Sequence, residues 1–577
     1  MPLNMDKFQH FFFKWVPIHE LVICFIALFV FNNYIKHSDQ VIRADGLGYY
    51  NYLPAIFIYH DLNFEFTDTL QTEFYNHQEA NAGILRSVNG KNVNKYFVGT
   101  ALMQSPFFLG AHVIAKNSPS YSADGYSEIY QRGIYHAALV WTLIGLLFLR
   151  LSLQHLGVHK WWIFWIQAAV FFASSLPNYI VTDASFSHTY SFALISIWSY
   201  LVLSFQQEKP QKLLWIGLVL GIIVLIRPVN IVIIGFLPFL VLLQGKPLKA
   251  ILSFFENKKM LFAALLLFSL IVFIQPLIWH IQCGQWIVRS YGDESFDFSN
   301  PHIIDFLFSY RKGFFVYAPI FFVLLALFTI HWIINQSWRI LISFYLPFMI
   351  TIYVLSSWWY WSYGASYGSR VMIDFYPFLT LASFGLYKHG KTLVLWLLTP
   401  LIIFSAYLAL LQTYQYKNYI LSWDEMNNTS FWTVFMQTDD KFKGYLWQEK
   451  FDPQWEKDLL FSFSDTLDNL EAEPLHVEFN VEKEYSRLAV VIKGNCSYNT
   501  GINRFMVAID DSLGNNEYYH EQAIFKSTAK ENYTGDFELA YFIKPLEKGG
   551  YKLVFVILKE EEMKCDDPIE IRLFGLY

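Results

Sequence analysis

LLWIGLVLGIIVLIRPVNIVIIGFLPFLVLL, residues 213–243, carries a single charge, Arg227, which stands just before Pro228 in the middle of an otherwise apolar run. As one helix the run would be about 46 Å long at ~1.5 Å per residue, against a bilayer hydrocarbon core of roughly 30 Å. It reads instead as two short helices that meet near Arg227. An unpaired guanidinium in such surroundings costs about 2.5 to 3.5 kcal/mol on insertion scales, so Arg227 needs an anion. A bound phosphate or the carboxylate of Asp183 would serve.

Similar apolar runs recur on both sides of this stretch, at about 18–35, 97–116, 130–150, 161–177, 185–205, 260–282, 313–334, 338–356, 370–387 and 391–411. The chain of 577 residues is 54% hydrophobic and only 16% charged. These features predict an α-helical polytopic membrane protein. The first run follows Lys7 and Lys14 without a small-residue cleavage site and reads as a retained anchor. The net charge of −6 averages a membrane part with a polar tail and gives no sign of a nucleic-acid partner. The four cysteines, Cys24, Cys283, Cys496 and Cys565, lack metal-ligand spacing, and only the last two are placed to pair, in an oxidising compartment.

Basic residues set the orientation. Arg150 with His159 and Lys160, Lys209 with Lys212, Lys246 to Lys259, Arg339, and Lys388 with Lys391 fall in alternate loops, which the positive-inside rule makes cytoplasmic. Asp45, Asp183, QWIVRSYGDESFDFSNPH (residues 285–302) and WWYWSYGASYGSR (358–370) then face outward. This parity requires the run near 97–116 to be a juxtamembrane or re-entrant helix. About eleven spanning helices result, with the N-terminus cytoplasmic and the tail outside. The expected organisation is a transmembrane domain over 1–411, including an outer loop over 36–129, an amphipathic linker over 412–459, and an all-β sandwich over 460–577. The sandwich rests on alternating segments such as HVEFNVE, RLAVVIK and YKLVFVIL.

The outer loop holds RADGLGYYNYLPA, residues 43–55. Asp45 beside Gly46 and Gly48 is a carboxylate that a substrate hydroxyl can approach, and Tyr49, Tyr50 and Tyr52 follow at the membrane edge. The bland alternative is a solvated Asp-Gly turn with an aromatic belt.

Several segments in order, ADGLGYYNYLPA with HDLNF, NKYFVGTALMQSPFFLGAH, TDASFSHTYSFAL, GLVLGIIVLIRPVN, LFSYRKGFFVYAPI and SYGASYGSRVMIDFYPFL, resemble the GT-C superfamily of membrane glycosyltransferases. The likeness is to bacterial relatives of protein O-mannosyltransferases and aminoarabinose transferases. The resemblance implies a polyprenyl-phosphate sugar donor, a protein, lipid or glycan acceptor, inversion at the anomeric carbon, and a bacterial cytoplasmic membrane with the site on its periplasmic side. It makes Asp45 the base. Many relatives carry paired acidic residues in this loop, whereas glycine follows Asp45, so a second carboxylate must come from elsewhere; Asp61 and Asp183 are the candidates, with turn and N-cap roles as their alternatives. A leaving phosphate needs cations near the outer face, and Arg370, Arg311 and Lys312 are the expected ligands, with Arg227 as a further one. Lys95 and His188 are expected to touch sugar or phosphate, with Tyr49 and Tyr50 beside them. No cofactor is required; a divalent cation is compatible with the chemistry, although no HExxH is present and GDESFDF (292–298) lacks the periodicity of a calcium loop. The rival readings are a lipid-linked sugar transporter, which usually shows paired halves, and an oligosaccharide ligase or polymerase, which usually has its large outer loop late in the chain.

Overall fold

The computed structural model describes residues 17–67 except 37 and 39, 83–385, 392–438 except 425, 442, 446, and 457–576 except 473, 486, 499–503, 513, 515, 524–532, 544, 545, 559–562 and 566. Lys7, Lys14, Lys388, Lys391 and much of the second half of the expected linker lie outside the described residues. The chain forms two compact units, Met1–Tyr414 with Trp423–Asn427, and Gln415–Ser422 with Asn428–Tyr577.

The first unit is helical. Among the described residues four helices are long and apolar enough to cross a membrane: Ile18–Ile35, Glu128–His155, Lys258–Cys283 and Trp338–Ser356. Shorter apolar helices occupy His188–Leu203, Lys212–Ile226, Pro228–Leu243 and Pro319–Ile334. Phe262, Leu265, Leu266 and Leu270 leave an apolar face of the Lys258–Val272 segment uncovered, as a surface in contact with lipid would be. Gly217 lets the main chain of Lys212–Ile226 meet that of Ala264, where a Cβ would stand 2.4 Å from the Ala264 carbonyl oxygen. Close approach through small residues replaces the hydrophobic effect as the glue between helices in lipid.

The helix that begins at Lys212 stops at Ile226, and Arg227 has extended backbone (φ −147°, ψ 108°) before a 3-10 segment over Pro228–Phe236. The cause is local: the ring of Pro228 disfavours helical angles at its predecessor. The run at 370–387 is also divided, into a 3-10 turn over Arg370–Phe375 and a helix over Tyr376–Ala382 with Pro377 in its first turn. This turn packs on His188–Leu203, which in turn packs on Glu128–His155. Residues 97–116 form a helix over Gly99–Lys116.

The second unit contains two antiparallel sheets. Its strands, numbered after a short hairpin of β1 (Leu85–Val88) and β2 (Lys91–Asn94) in the first unit, are β3 (Lys457–Asp465), β4 (Leu475–Val481), β5 (Arg487–Tyr498), β6 (Arg504–Asp511), β7 (Asn516–Ala523), β8 (Tyr533–Ile543), β9 (Gly549–Leu558), β10 (Met563–Cys565) and β11 (Ile569–Leu576). One sheet runs β10-β5-β11-β3 with β8 on the other side of β5; the other runs β4-β9-β6-β7. Val490, Ile492, Leu539 and Ile571 from the first share a core with Val507, Ile509, Leu553 and Phe555 from the second. Alternate residues along each strand supply it, as a pleat requires. Cys496 and Cys565 are direct cross-strand partners joined by a disulfide.

Candidate active site

The helix Asp45–Tyr50 begins after Ala44, a non-glycine residue with φ +46°. Side chains rarely adopt that conformation, and it is retained here where the surrounding packing enforces it. Gly46 lies against Ser185, where a Cβ would fall 1.9 Å from the hydroxyl, and Gly48 lies under the ring of Tyr96, where a Cβ would fall 2.2 Å from the ring. Asn94 braces the approach: its amide donates to the Gly48 carbonyl at 2.7 Å, and its side-chain oxygen accepts from the Tyr96 backbone N–H at 2.9 Å. The ring of Tyr96, 4.5 Å from that of Tyr49, thereby brings its hydroxyl to donate to Asp45 Oδ1 at 2.6 Å.

The other oxygen of Asp45 accepts from Arg370 Nη2. Arg370 is nearly buried, its side chain 9% exposed, whereas that of Asp45 is 34% exposed. Nε and Nη1 of Arg370 are buried and have no hydrogen-bond partner among the described residues. A buried guanidinium with two idle donors is costly, and it is the kind of group an incoming oxyanion satisfies. Burial pushes the Asp45 carboxyl up, but Arg370, the Tyr96 hydroxyl and Lys95 together outweigh it and hold the group below its ordinary value. The Tyr96 phenol moves well up, from burial first and then from the Asp45 charge, and so remains a donor.

The remaining expected site residues divide. Tyr49 packs on Tyr96, ring to ring at 4.5 Å, and feels the charges of Arg227, Asp45 and Arg370. Lys95 stacks over Tyr291 and Tyr96 and is 2.7 Å from the Glu294 carboxylate, which also accepts from Arg86 at 3.0 Å. His188 bonds Asp374 at 2.9 Å. Arg311 is 3.1 Å from Asp424 and 3.0 Å from the Tyr360 hydroxyl, and Lys312 donates to the carbonyls of Ser366 and Trp423. These contacts tie down the loop that leads to Arg370. Tyr50 is fully buried, and its hydroxyl donates to the Gly125 carbonyl.

The contacts of Arg227, Asp183 and Asp61 bear on readings that the sequence left open. Arg227 does not meet Asp183: its carboxylate neighbour is Asp374, at 3.7 Å. Asp183 accepts from both Nε (3.0 Å) and Nη2 (2.9 Å) of Arg43 and from Asn178 at 2.8 Å. Asp61 accepts the backbone N–H groups of Asn63 (2.8 Å) and Phe66 (3.3 Å), the turn role that was its alternative. Among the described residues no hydrogen bond joins either of them to Asp45, whose partners are Tyr96 and Arg370. Asp374, Tyr96, Glu294 and Asn230 were not anticipated. Asp374 was findable, because the rule that marks Arg227 as a charge in an apolar run marks an aspartate in RVMIDFYPFL as well. Among the described residues no group of three or more His, Cys, Asp or Glu side chains is disposed to hold a metal ion.

No family model matches the chain, and no curated protein does. Among solved structures, the cryo-EM structure of the arabinosyltransferase EmbB from Mycobacterium smegmatis aligns with a TM-score of 0.36 at 9% identity, over 100% of this chain and 65% of that one. The chain thus spans less than two thirds of the length of that protein.

Proposed function

We propose that the protein is a GT-C-like glycosyltransferase that moves a sugar from a polyprenyl-phosphate donor to a protein, lipid or glycan hydroxyl on the outer face of a bacterial cytoplasmic membrane. In this reading about eleven helices span, the N-terminus is cytoplasmic and the β-sandwich is periplasmic. The observation that carries it is the Asp45–Arg370 pair, in which a partly exposed carboxylate is held by a buried arginine with two idle donors.

The pair explains how one site serves both ends of the reaction. With no donor bound, Arg370 and Tyr96 hold Asp45 ionised but weakly basic. A sugar phosphate that enters offers Arg370 oxygens for its idle nitrogens and draws the guanidinium's charge away from Asp45. The carboxylate then becomes a better base at the moment an acceptor hydroxyl needs one. Asp45 takes the hydroxyl proton as the acceptor oxygen bonds to the anomeric carbon; the carbon–oxygen bond to phosphate breaks, and its electron pair leaves with the phosphate, held by Arg370. One displacement from the opposite face inverts the anomeric centre. The guanidinium supplies the positive charge that stabilises the departing anion, so the step as written uses no cofactor, and a divalent cation at the phosphate is compatible with it.

The test is sugar transfer from a radiolabelled polyprenyl-phosphate sugar in membranes with wild type, Asp45→Asn or Arg370→Gln at matched levels. Asp45→Asn is expected to bind donor and not transfer; Arg370→Gln is expected to lose both. Undiminished transfer by Asp45→Asn removes it as the base, and a wild type that moves the lipid across the bilayer without consuming it favours a transporter.

A further inference from the structure

Asp374 is fully buried, in the same short 3-10 turn as Arg370. Its Oδ2 accepts from Asn230 at 2.8 Å, its Oδ1 is 2.9 Å from His188 Nδ1, and Arg227 Nη1 is 3.7 Å from Oδ2. The same His188 nitrogen is 3.0 Å from Arg227 Nη1. One ring nitrogen cannot serve both neighbours. As an N–H it donates to Asp374 and opposes the Arg227 N–H; as a lone pair it accepts from Arg227 and opposes the carboxylate. Arg227 is therefore held loosely, beyond hydrogen-bond distance of its counter-ion. Among the described residues it donates only from Nη1, while its side chain is 14% exposed.

We infer that Asp374, with His188, is a positioning residue that competes with the donor phosphate for Arg227, so that Arg227 grips the phosphate firmly enough to bind it and loosely enough to release it. The inference rests on reading the site as one that takes a polyprenyl phosphate. When phosphate oxygens take Arg227, His188 is free to keep its Nδ1 proton and donate to Asp374, and the contest ends. When the product leaves, Asp374 recovers the guanidinium. The turn over Arg370–Phe375 then carries one group for each stage: Arg370 faces Asp45, and Asp374 faces the second arginine.

Two unit charges about 4 Å apart interact appreciably at an effective dielectric near 20, so removing the competitor has a direction that loss of structure cannot imitate. In full-length protein in nanodiscs, with polyprenyl monophosphate as the probe, Asp374→Asn is expected to bind at least about fivefold more tightly than wild type. Its kcat and KM are expected to fall together, because release slows. Asp374→Glu, which keeps the charge, is expected to restore binding toward wild type. Asn230→Ala leaves every charge in place but frees Oδ2 for Arg227, and is expected to weaken probe binding; it keeps the test decisive should Asp374→Asn fail to fold. If wild type binds the probe and a folded Asp374→Asn binds it equally or more weakly, or if folded Asn230→Ala leaves binding unchanged, the inference is overturned while the transferase reading stands. If wild type does not bind the probe above plain bilayer lipid, the transferase reading itself fails, and this inference with it.

Discussion

The Tyr96 hydroxyl is 2.6 Å from Asp45 Oδ1 because the ring that carries it lies on Gly48, at a place where no side chain would fit. Hydrogen bonds to charged groups contribute about 1.5–3 kcal/mol, and 1.4 kcal/mol corresponds to a factor of ten. Tyr96→Phe is therefore expected to make Asp45 more basic and to move the acid limb of the kcat/KM profile upward by about one unit or more, while donor affinity changes little. A profile that keeps its shape would show that Tyr96 only packs.

The pH dependence has a definite sign. The Asp45 carboxyl is held below its ordinary value of 3.8 by Arg370, Tyr96 and Lys95 against the opposing effect of burial. A carboxylate depressed on folding contributes stability that is full above the unfolded value and is lost as pH falls through the folded one. In wild type, kcat/KM is expected to stay level as pH is lowered from about 7 to about 5, with no ionisation assignable to Asp45 in that window. An acid limb near pH 6 that Asp45→Glu displaces would contradict this.

Gly46 and Gly110 form a matched pair for a packing test. A Cβ at Gly46 meets the Ser185 hydroxyl at 1.9 Å and its main chain at 3.1 Å, whereas at Gly110, inside the helix Gly99–Lys116, it meets nothing within 4 Å. Overpacking typically costs about 1–3 kcal/mol, and alanine favours a helix over glycine by about 1 kcal/mol. Thermal melting in detergent should show Gly46→Ala clearly lowered and Gly110→Ala unchanged or raised.

Glu20 and Arg150, each 3% exposed, pair at 2.9 Å, and Gln167 donates to the same Glu20 oxygen. Removing one partner of a buried pair leaves an uncompensated charge, at a cost of about 3–5 kcal/mol, whereas replacing both by apolar residues is often neutral. Glu20→Leu is expected to melt well below wild type, and Glu20→Leu with Arg150→Met to recover most of the loss. Equal losses in single and double variants would mean that the pair serves some other purpose.

Addition of EDTA is expected to leave the initial rate of sugar transfer unchanged, because Arg370, with its idle donors, supplies the positive charge at the phosphate. A rate restored only by added divalent cation would reassign that work to a metal.

Sequence alone determined what depends on neighbours along the chain. Pro228 biases Arg227 away from helical angles, and Arg227 is in extended backbone. The strand periodicity of segments such as RLAVVIK and YKLVFVIL is the pleat of β5 and β9 read in one dimension. Asp45 stood out because a carboxylate beside two glycines is locally visible. What tertiary structure decided is who answers each charge. Arg227 called for an anion, and nothing local says that it comes from Asp374, which meets His188 across 186 residues and Asn230 across 144. Asp183, the nearer aspartate in the chain, is taken by Arg43 instead. A buried charge fixes only that a partner must exist, since the penalty is for isolation; which partner arrives is set by how the helices pack, through close approaches such as Gly217 on Ala264.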